Sequence, residues 1–381
     1  MRHFRFHPRI SGDYHPFMKR PSRLCTAVTL LLIAPLCASP SEALRIQKTW
    51  DLTMEKWSLE TRSASTPEAR AKALVNRPDT ASFAKQMWTI IGDSLSEEWT
   101  IEPAAWFLRA SQGLVETNPE GVTTPMFAKQ TEAVRKAVEG FHLKSSRLVP
   151  MCMALVTYQD PRSLSILEKI EKSHPDKKIQ GVAALASAMV LKSLGDDAEL
   201  MRKRLTALRK AIVESSEVSI GSTTVAKLAE DELYIIRFLT KGREAPDLSG
   251  MDSAGRLMKL SDYKGKVILL LFWTSTMPEA ERVVDITRDM QKKLEGKPFV
   301  VLGVNHDSLE YLRAMEAEGL VNWRSFSDPT HQLSNQYRVG SWPLVYVLDG
   351  QRKIHYAGTQ GSFAELTAEA LLAEAPAPAE P

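Results

Sequence analysis

The sequence predicts two folded parts: an α-helical N-terminal domain over residues 44–240, then an α/β domain over 241–375 whose central mixed β-sheet is flanked by helices. Three observations carry this reading. From Leu44 to Thr240 apolar residues recur at spacings of three and four, the period of helices that bury one face. After Phe238-Leu239 that pattern stops at Gly242-Arg243-Glu244-Ala245-Pro246-Asp247, a run that breaks helices. Beyond it, short and wholly apolar segments alternate with helical ones, as expected of strands buried on both faces of a sheet.

The 381 residues suffice for two domains. With 44% hydrophobic and 25% charged residues, the chain has apolar material for a core in each. The net charge is +3, and no block of like charge suggests a nucleic-acid partner.

Residues 1–43 read as a signal peptide. Arg2, Arg5, Arg9, Lys19, Arg20 and Arg23 form a basic lead, and an apolar run follows from Cys25 to Ala38. Ser41-Glu42-Ala43 offers small residues for a signal peptidase. The run is short for a bilayer and lacks the flanks of a stop-transfer helix. Met18-Lys19-Arg20-Pro21 offers an alternative start to Met1, and an uncleaved anchor is the alternative to cleavage. Ala34-Pro35-Leu36 is a poor lipobox ahead of Cys37 because Leu36 is large, so no lipoprotein is expected. The expected location is the periplasm or the exterior, with no stable membrane span after cleavage.

In the helical part the clearest element is Ile179 to Leu191, Ala-rich and apolar on nearly all sides, hence a buried helix. Leu164 to Lys172 and Glu199 to Glu214 are amphipathic, and Pro161, Pro175 and Gly195-Asp196-Asp197 punctuate them. Helices joined by short turns suggest an array of hairpins, although no fixed repeat period is present. Trp50, Trp57, Trp88, Trp99 and Trp106 cluster in the first half; core packing is the expected role, a ligand groove the alternative.

In the second part, Lys266 to Trp273, Pro298 to Asn305 and Leu344 to Leu348 are the strands. Pro278 to Leu294, Leu309 to Gly319 and Phe363 to Ala375 are the helices. The Pro- and Ala-rich tail, 376–381, is expected to be disordered.

Several segments of this part resemble, in order, the thioredoxin-like proteins of the TlpA/ResA and AhpC/TSA (redoxin) type. Gly242 to Leu248 resembles the opening G-x-x-A-P-D segment, and Leu260-Ser261-Asp262-Tyr263-Lys264-Gly265-Lys266-Val267 resembles the entry to the first central strand. Leu271-Phe272-Trp273 matches the end of that strand. Ser341-Trp342-Pro343 stands at the cis-proline loop, and Val345 to Asp349 follows as the next strand. Glu295 to Phe299, Leu302 to Asp307 and Ala229 to Tyr234 resemble redoxin proteins of planctomycete and verrucomicrobial type, which carry a helical region ahead of the fold. The resemblance implies a thioredoxin-like fold and, for redox-active members, a thiol-disulfide oxidoreductase or thiol peroxidase.

The chain departs from that pattern where the resemblance puts a C-x-x-C motif. It reads Trp273-Thr274-Ser275-Thr276-Met277-Pro278-Glu279-Ala280, which sets Met277 and Ala280 at the two cysteine positions. The first cysteine of such a motif works as a thiolate stabilised at a helix N-terminus, and the second resolves the mixed disulfide. A thioether does not ionise, and alanine has no sulfur. Leu271 stands where thioredoxins carry a buried Asp. Thr276 and Pro278 are expected to start the following helix, as N-cap and first-turn proline, with Glu279 and Glu281 favoured near its positive end.

The three cysteines are Cys25, Cys37 and Cys152, so a mature chain retains Cys152 alone and forms no internal disulfide. Cys152, between Met151 and Met153, is expected to be a buried, inert thiol. His306, His331 and His355 lack ligand spacing, so no metal is expected. No phosphate-binding glycine loop and no other cofactor signature is present.

No catalytic residue is therefore assigned, and the expected function is a redox-inactive thioredoxin-fold module that binds a protein or peptide partner in the cell envelope. Trp273, Thr276, Met277, Trp342 and Pro343 would form its groove, with local packing as the alternative. The competing reading is an envelope thiol oxidoreductase or peroxidase, which would need Cys152 to reach the groove or to pair between subunits.

Overall fold

The computed structural model describes residues 39–374 apart from 65, 196, 278, 279 and 360. The apolar run with Cys25 and Cys37, the choice between Met1 and Met18, the tail 376–381 and the expected helix start at Pro278 and Glu279 lie outside the described residues.

Helices come first: α1 (Pro40–Ser63), α2 (Pro67–Val75), α3 (Thr80–Ile91) and α4 (Ile101–Ser111). A small hairpin, β1 (Val115–Thr117) and β2 (Thr123–Pro125), precedes α5 (Ala128–Ala137), α6 (Val149–Val156), α7 (Pro161–Ser173), α8 (Lys177–Leu194) and α9 (Ala198–Ser215). A second hairpin, β3 (Ser219–Ile220) and β4 (Thr223–Thr224), leads into α10 (Val225–Phe238). The caps are those that helix ends require: Ser39, Thr66, Asp79, Asp160, Asp197 and Thr224 each accept a backbone N–H of the first turn. Helix α1 begins at Pro40, so Ser41-Glu42-Ala43 lies within its first turns. Among the described residues no helix is long and apolar enough to cross a membrane.

The N-terminal part is helical, as its period predicts, and two short hairpins that the period does not mark interrupt it. Their side chains are mostly exposed, so no buried periodicity marks them. The first is held instead by the Asn118 side chain, which accepts from Glu120 N at 3.1 Å and Val122 N at 2.8 Å, an Asx-type turn.

Helix α8 is the centre of this part, with Ile179, Val182, Leu185, Val190 and all four of its alanines buried. Gly181 has a reason to be glycine. A Cβ there would lie 1.9 Å from Ser215 Oγ, 3.0 Å from Ser215 Cβ and 3.1 Å from Glu214 Cβ on α9. Ser215 Oγ is itself committed, donating to Lys178 O at 2.6 Å. Alanine normally gains about 1 kcal/mol over glycine in a helix interior, but overpacking costs about 1–3 kcal/mol. Gly181→Ala is therefore expected to lower stability by up to about 2 kcal/mol in urea unfolding; a stabilised variant would refute the close crossing.

The second part contains β5 (Ser249–Met251), β6 (Leu257–Lys259), β7 (Val267–Trp273), α11 (Ala280–Lys293), β8 (Phe299–Asn305) and α12 (Leu309–Ala317). It continues with β9 (Arg324–Ser327), α13 (Gln332–Gln336), β10 (Leu344–Leu348), β11 (Ile354–Gly358) and α14 (Ser362–Glu374). Five strands form the central sheet in the order β11-β10-β7-β8-β9. β7, β8 and β9 run parallel, whereas β10 and β11 are antiparallel to their neighbours. All seven residues of β7 are buried and alternate between two cores, as the strand period dictates. Val267, Leu269, Leu271 and Trp273 face α11, α12 and α14. Ile268, Leu270 and Phe272 face Leu333, Tyr337 and the end of α10.

The helical part and the sheet part pack as one unit. Leu239 is buried in the sheet's second core, with Tyr234, Ile235 and Phe238 against it. Arg338 clasps α10, pairing with Asp231 at 2.6 Å and lying 4.2 Å over the Tyr234 ring.

Candidate functional site

Two loops leave the carboxyl ends of the adjacent parallel strands β7 and β8, the edge where open α/β sheets present their sites. After β7 come Thr274, Ser275, Thr276 and Met277; after β8 come His306, Asp307 and Ser308. The carboxylate of Asp307, 1% exposed, ties the loops together. It accepts from Thr274 Oγ1 at 3.1 Å, Ser275 N at 2.8 Å, Ser275 Oγ at 2.8 Å and Asn305 Nδ2 at 3.0 Å. A buried charge needs such donors.

A fifth donor comes from the helical part. Arg70 on α2 reaches Asp307 Oδ1 with Nη1 at 3.2 Å and Ala64 O with Nη2 at 3.4 Å. Its guanidinium carbon lies 4.3 Å from the centre of the Tyr311 ring on α12, a cation–π placement. Burial pushes the Tyr311 hydroxyl pKa up, and the Arg70 charge opposes part of that rise. Helix α2 is held to α1 by Trp57, whose Nε1 donates to Ala73 O at 2.9 Å. Between this helix pair and the two loops remains a cavity of about 280 Å³, bordered by Trp57, Thr61, Arg70, Thr276, His306 and Asp307.

The residues marked from sequence fall into two groups. Trp273 and Met277 are 1% and 7% exposed and belong to the first core of the sheet, Trp273 edge-on to Trp323 with ring centres 6.2 Å apart. Thr276, Trp342 and Pro343 are partly exposed at the rim, and the Trp342–Pro343 bond is cis. Ala280 opens α11 as described and is partly buried against the core of Trp273 and Met277. Cys152 is fully buried in α6 within the helical core, and burial pushes its thiol pKa up to about 12. Of the tryptophans, Trp106 is buried and Trp50, Trp88 and Trp99 pack against that core, while Trp50 and Trp106 also border a surface concavity of about 700 Å³.

Sequence spacing missed two juxtapositions. Arg70 and Asp307 are 237 positions apart, and no local pattern announces their meeting; only the place of Asp307 just past an apolar strand hinted at a site edge. His306 and His331, which lack ligand spacing in sequence, are in ring contact at 3.2 Å between centres, with Trp342 stacked 5.8 Å from His306. His306 Nδ1 lies 3.2 Å from Asp328 O.

The His331 imidazole sits below its ordinary pKa, chiefly because it is withdrawn from water and also because His306 lies beside it; Asp328 acts in the opposite sense. As pH falls through about 6.5 the unfolded chain takes up this proton first. The group therefore contributes stability above that value and loses it below. His331→Asn suits the backbone, whose φ here is 59°, a conformation asparagine tolerates. This variant is expected to flatten the fall in urea midpoint between about pH 7 and about pH 5. An unchanged profile would assign the fall to other groups.

A mixed five-stranded sheet, covered by helices on both faces and carrying a cis-proline loop beside the ends of its parallel strands, has the thioredoxin-like fold. Residues 241–357 match the model of the AhpC/TSA family. The chain is 26% identical over 164 residues to the thiol-disulfide oxidoreductase ResA of Geobacillus kaustophilus, covering 42% of this chain and 91% of that one. It is 32% identical over 104 residues to the peroxiredoxin Bcp of Bacillus subtilis, covering 27% of this chain. The chain spans just under two thirds of its peroxiredoxin relatives, 65% of that one and 66% of one from Haemophilus influenzae. Among solved structures, the thioredoxin domain of a thiol-disulfide oxidoreductase from Bacteroides vulgatus is 22% identical, with a TM-score of 0.32, covering 35% of this chain and 98% of that domain.

Proposed function

We propose that this chain is a redox-inactive thioredoxin-fold protein of the cell envelope whose C-terminal domain binds a protein or peptide. One observation carries the redox part: no ionisable thiol stands at the site. Residues 153–381 contain no cysteine, Cys152 lies fully buried in the helical core, and the resemblance sets Met277 and Ala280 at the C-x-x-C positions. A thiol that remains protonated to a pKa of about 12 is neither nucleophile nor leaving group at neutral pH. The rim that remains, with Thr276, Trp342 and Pro343 partly exposed, is a surface for contact rather than chemistry. The basic lead and apolar run of residues 1–43 support export.

The names of the relatives favour one competing reading, a thiol oxidoreductase or peroxidase, and a single pair of assays decides between them. With dithiothreitol as reductant, the protein is expected to reduce insulin and consume hydrogen peroxide no faster than the reductant alone, and Cys152→Ser to behave identically. Turnover that disappears in Cys152→Ser would establish the enzymatic reading.

A further inference from the structure

We propose that the Asp307 pocket is a guanidinium receptor, filled in this chain by its own Arg70 and suited to an arginine presented by a peptide segment of another protein. This rests on the reading of the C-terminal domain as a binding module and specifies what it binds.

Apart from Arg70, the sheet part holds the Asp307 carboxylate with four donors of its own, on Thr274, Ser275 and Asn305. They leave a buried negative charge whose complement is a cation. The Tyr311 ring beside it selects the kind of cation. A planar guanidinium stacks on an aromatic face while its edge meets the carboxylate, and an ammonium does this less well.

The occupant fits loosely. Arg70 meets Asp307 at 3.2 Å and Ala64 O at 3.4 Å, long for charge-assisted bonds, which run at about 2.7–2.9 Å. Its Nε, although buried, finds no acceptor among the described residues. Arg70 is supplied by α2, a nine-residue helix tied to the adjacent α1 by the Trp57–Ala73 bond. A peptide arginine that satisfies all three guanidinium nitrogens would compete with it. The cavity of about 280 Å³ alongside, bordered by Trp57, Thr276 and His306, offers room for flanking residues.

The test uses the full chain carrying Arg70→Ala and a fluorescent peptide with the sequence of residues 66–75, in which Arg70 is the sole arginine. The peptide is expected to bind this variant. Affinity should fall roughly tenfold or more when glutamine replaces the peptide's arginine, or when the chain also carries Asp307→Asn, as loss of a charge-assisted contact implies. Equal affinity for both peptides, or no binding by a folded Arg70→Ala chain, would overturn the proposal. If that variant does not fold, the unaltered chain decides the matter. Saturating arginine peptide should speed hydrogen exchange in the chain's own residues 66–75 and the glutamine peptide should not; identical exchange would overturn the proposal. Insulin reduction in the same samples reports separately on the redox reading, so a catalytically active chain that binds the peptide, or an inert one that does not, tells the two failures apart.

Discussion

Asp307→Ala is expected to destabilise the protein by about 3–5 kcal/mol, the usual cost of removing one partner from a buried ion pair. The loss has two sources. Arg70, its side chain 3% exposed, is left with its charge in the interior, with the Ala64 carbonyl and the Tyr311 ring as its partners among the described residues. At the same time the Thr274 and Ser275 hydroxyls, the Ser275 N–H and the Asn305 amide lose an acceptor, and each buried donor left unmade costs about 1–3 kcal/mol where rotation or water cannot relieve it. Arg70→Ala should cost less, about 1.5–3 kcal/mol for one bond to a charged group, because Asp307 keeps four donors. The asymmetry is the informative part. Urea unfolding of both single variants and of Arg70→Ala/Asp307→Ala measures it. The double variant should lie close to Asp307→Ala alone, since removing the stranded cation relieves part of the damage. An Asp307→Ala variant within about 1 kcal/mol of the unaltered chain would mean that the pair does not hold the two parts together.

The elements that sequence made legible are those where local pattern and burial agree. β7 is a run of apolar residues because both its faces are covered, and the structure ends it at Trp273, as read. α8 is recognisable because its alanines are buried where α7 and α9 pack against it. What escaped was set by long-range or solvent-facing causes. β1 and β2 follow from one Asn118 side chain rather than from any period. β9 and β11 flank the sheet with only four and five residues, too few to show alternation. At the site, Trp342 and Pro343 follow from the cis-proline landmark and Thr276 from the register of the loop after β7. Asp307 as its charged centre and Arg70 as the residue that fills it follow only from the packing of α2 on α12, which a one-dimensional pattern does not encode.

Trp273 tests where core ends and site begins. Its ring is 1% exposed and stands edge-on to Trp323, so Trp273→Ala is expected to cost about 3–5 kcal/mol, the range for emptying a large aromatic from a core. Trp273→Phe should be close to neutral, within about 1 kcal/mol, because two effects oppose. The smaller ring leaves a void, but it also removes Nε1, which finds no acceptor among the described residues and therefore carries a desolvation penalty. A core role makes a second demand. Trp273→Phe must leave the affinity of the Arg70→Ala chain for the arginine peptide unchanged, since Asp307 and Tyr311, rather than the indole, form the receptor. Were Trp273 a groove contact instead, the phenylalanine variant would keep its stability and lose affinity, because a contact ring removed from a rim alters what binds and not what folds. Peptide titration of Trp273→Phe, with urea unfolding of Trp273→Ala beside it, thus separates the two roles, and the burial of the indole points to unchanged affinity in the first and lost stability in the second.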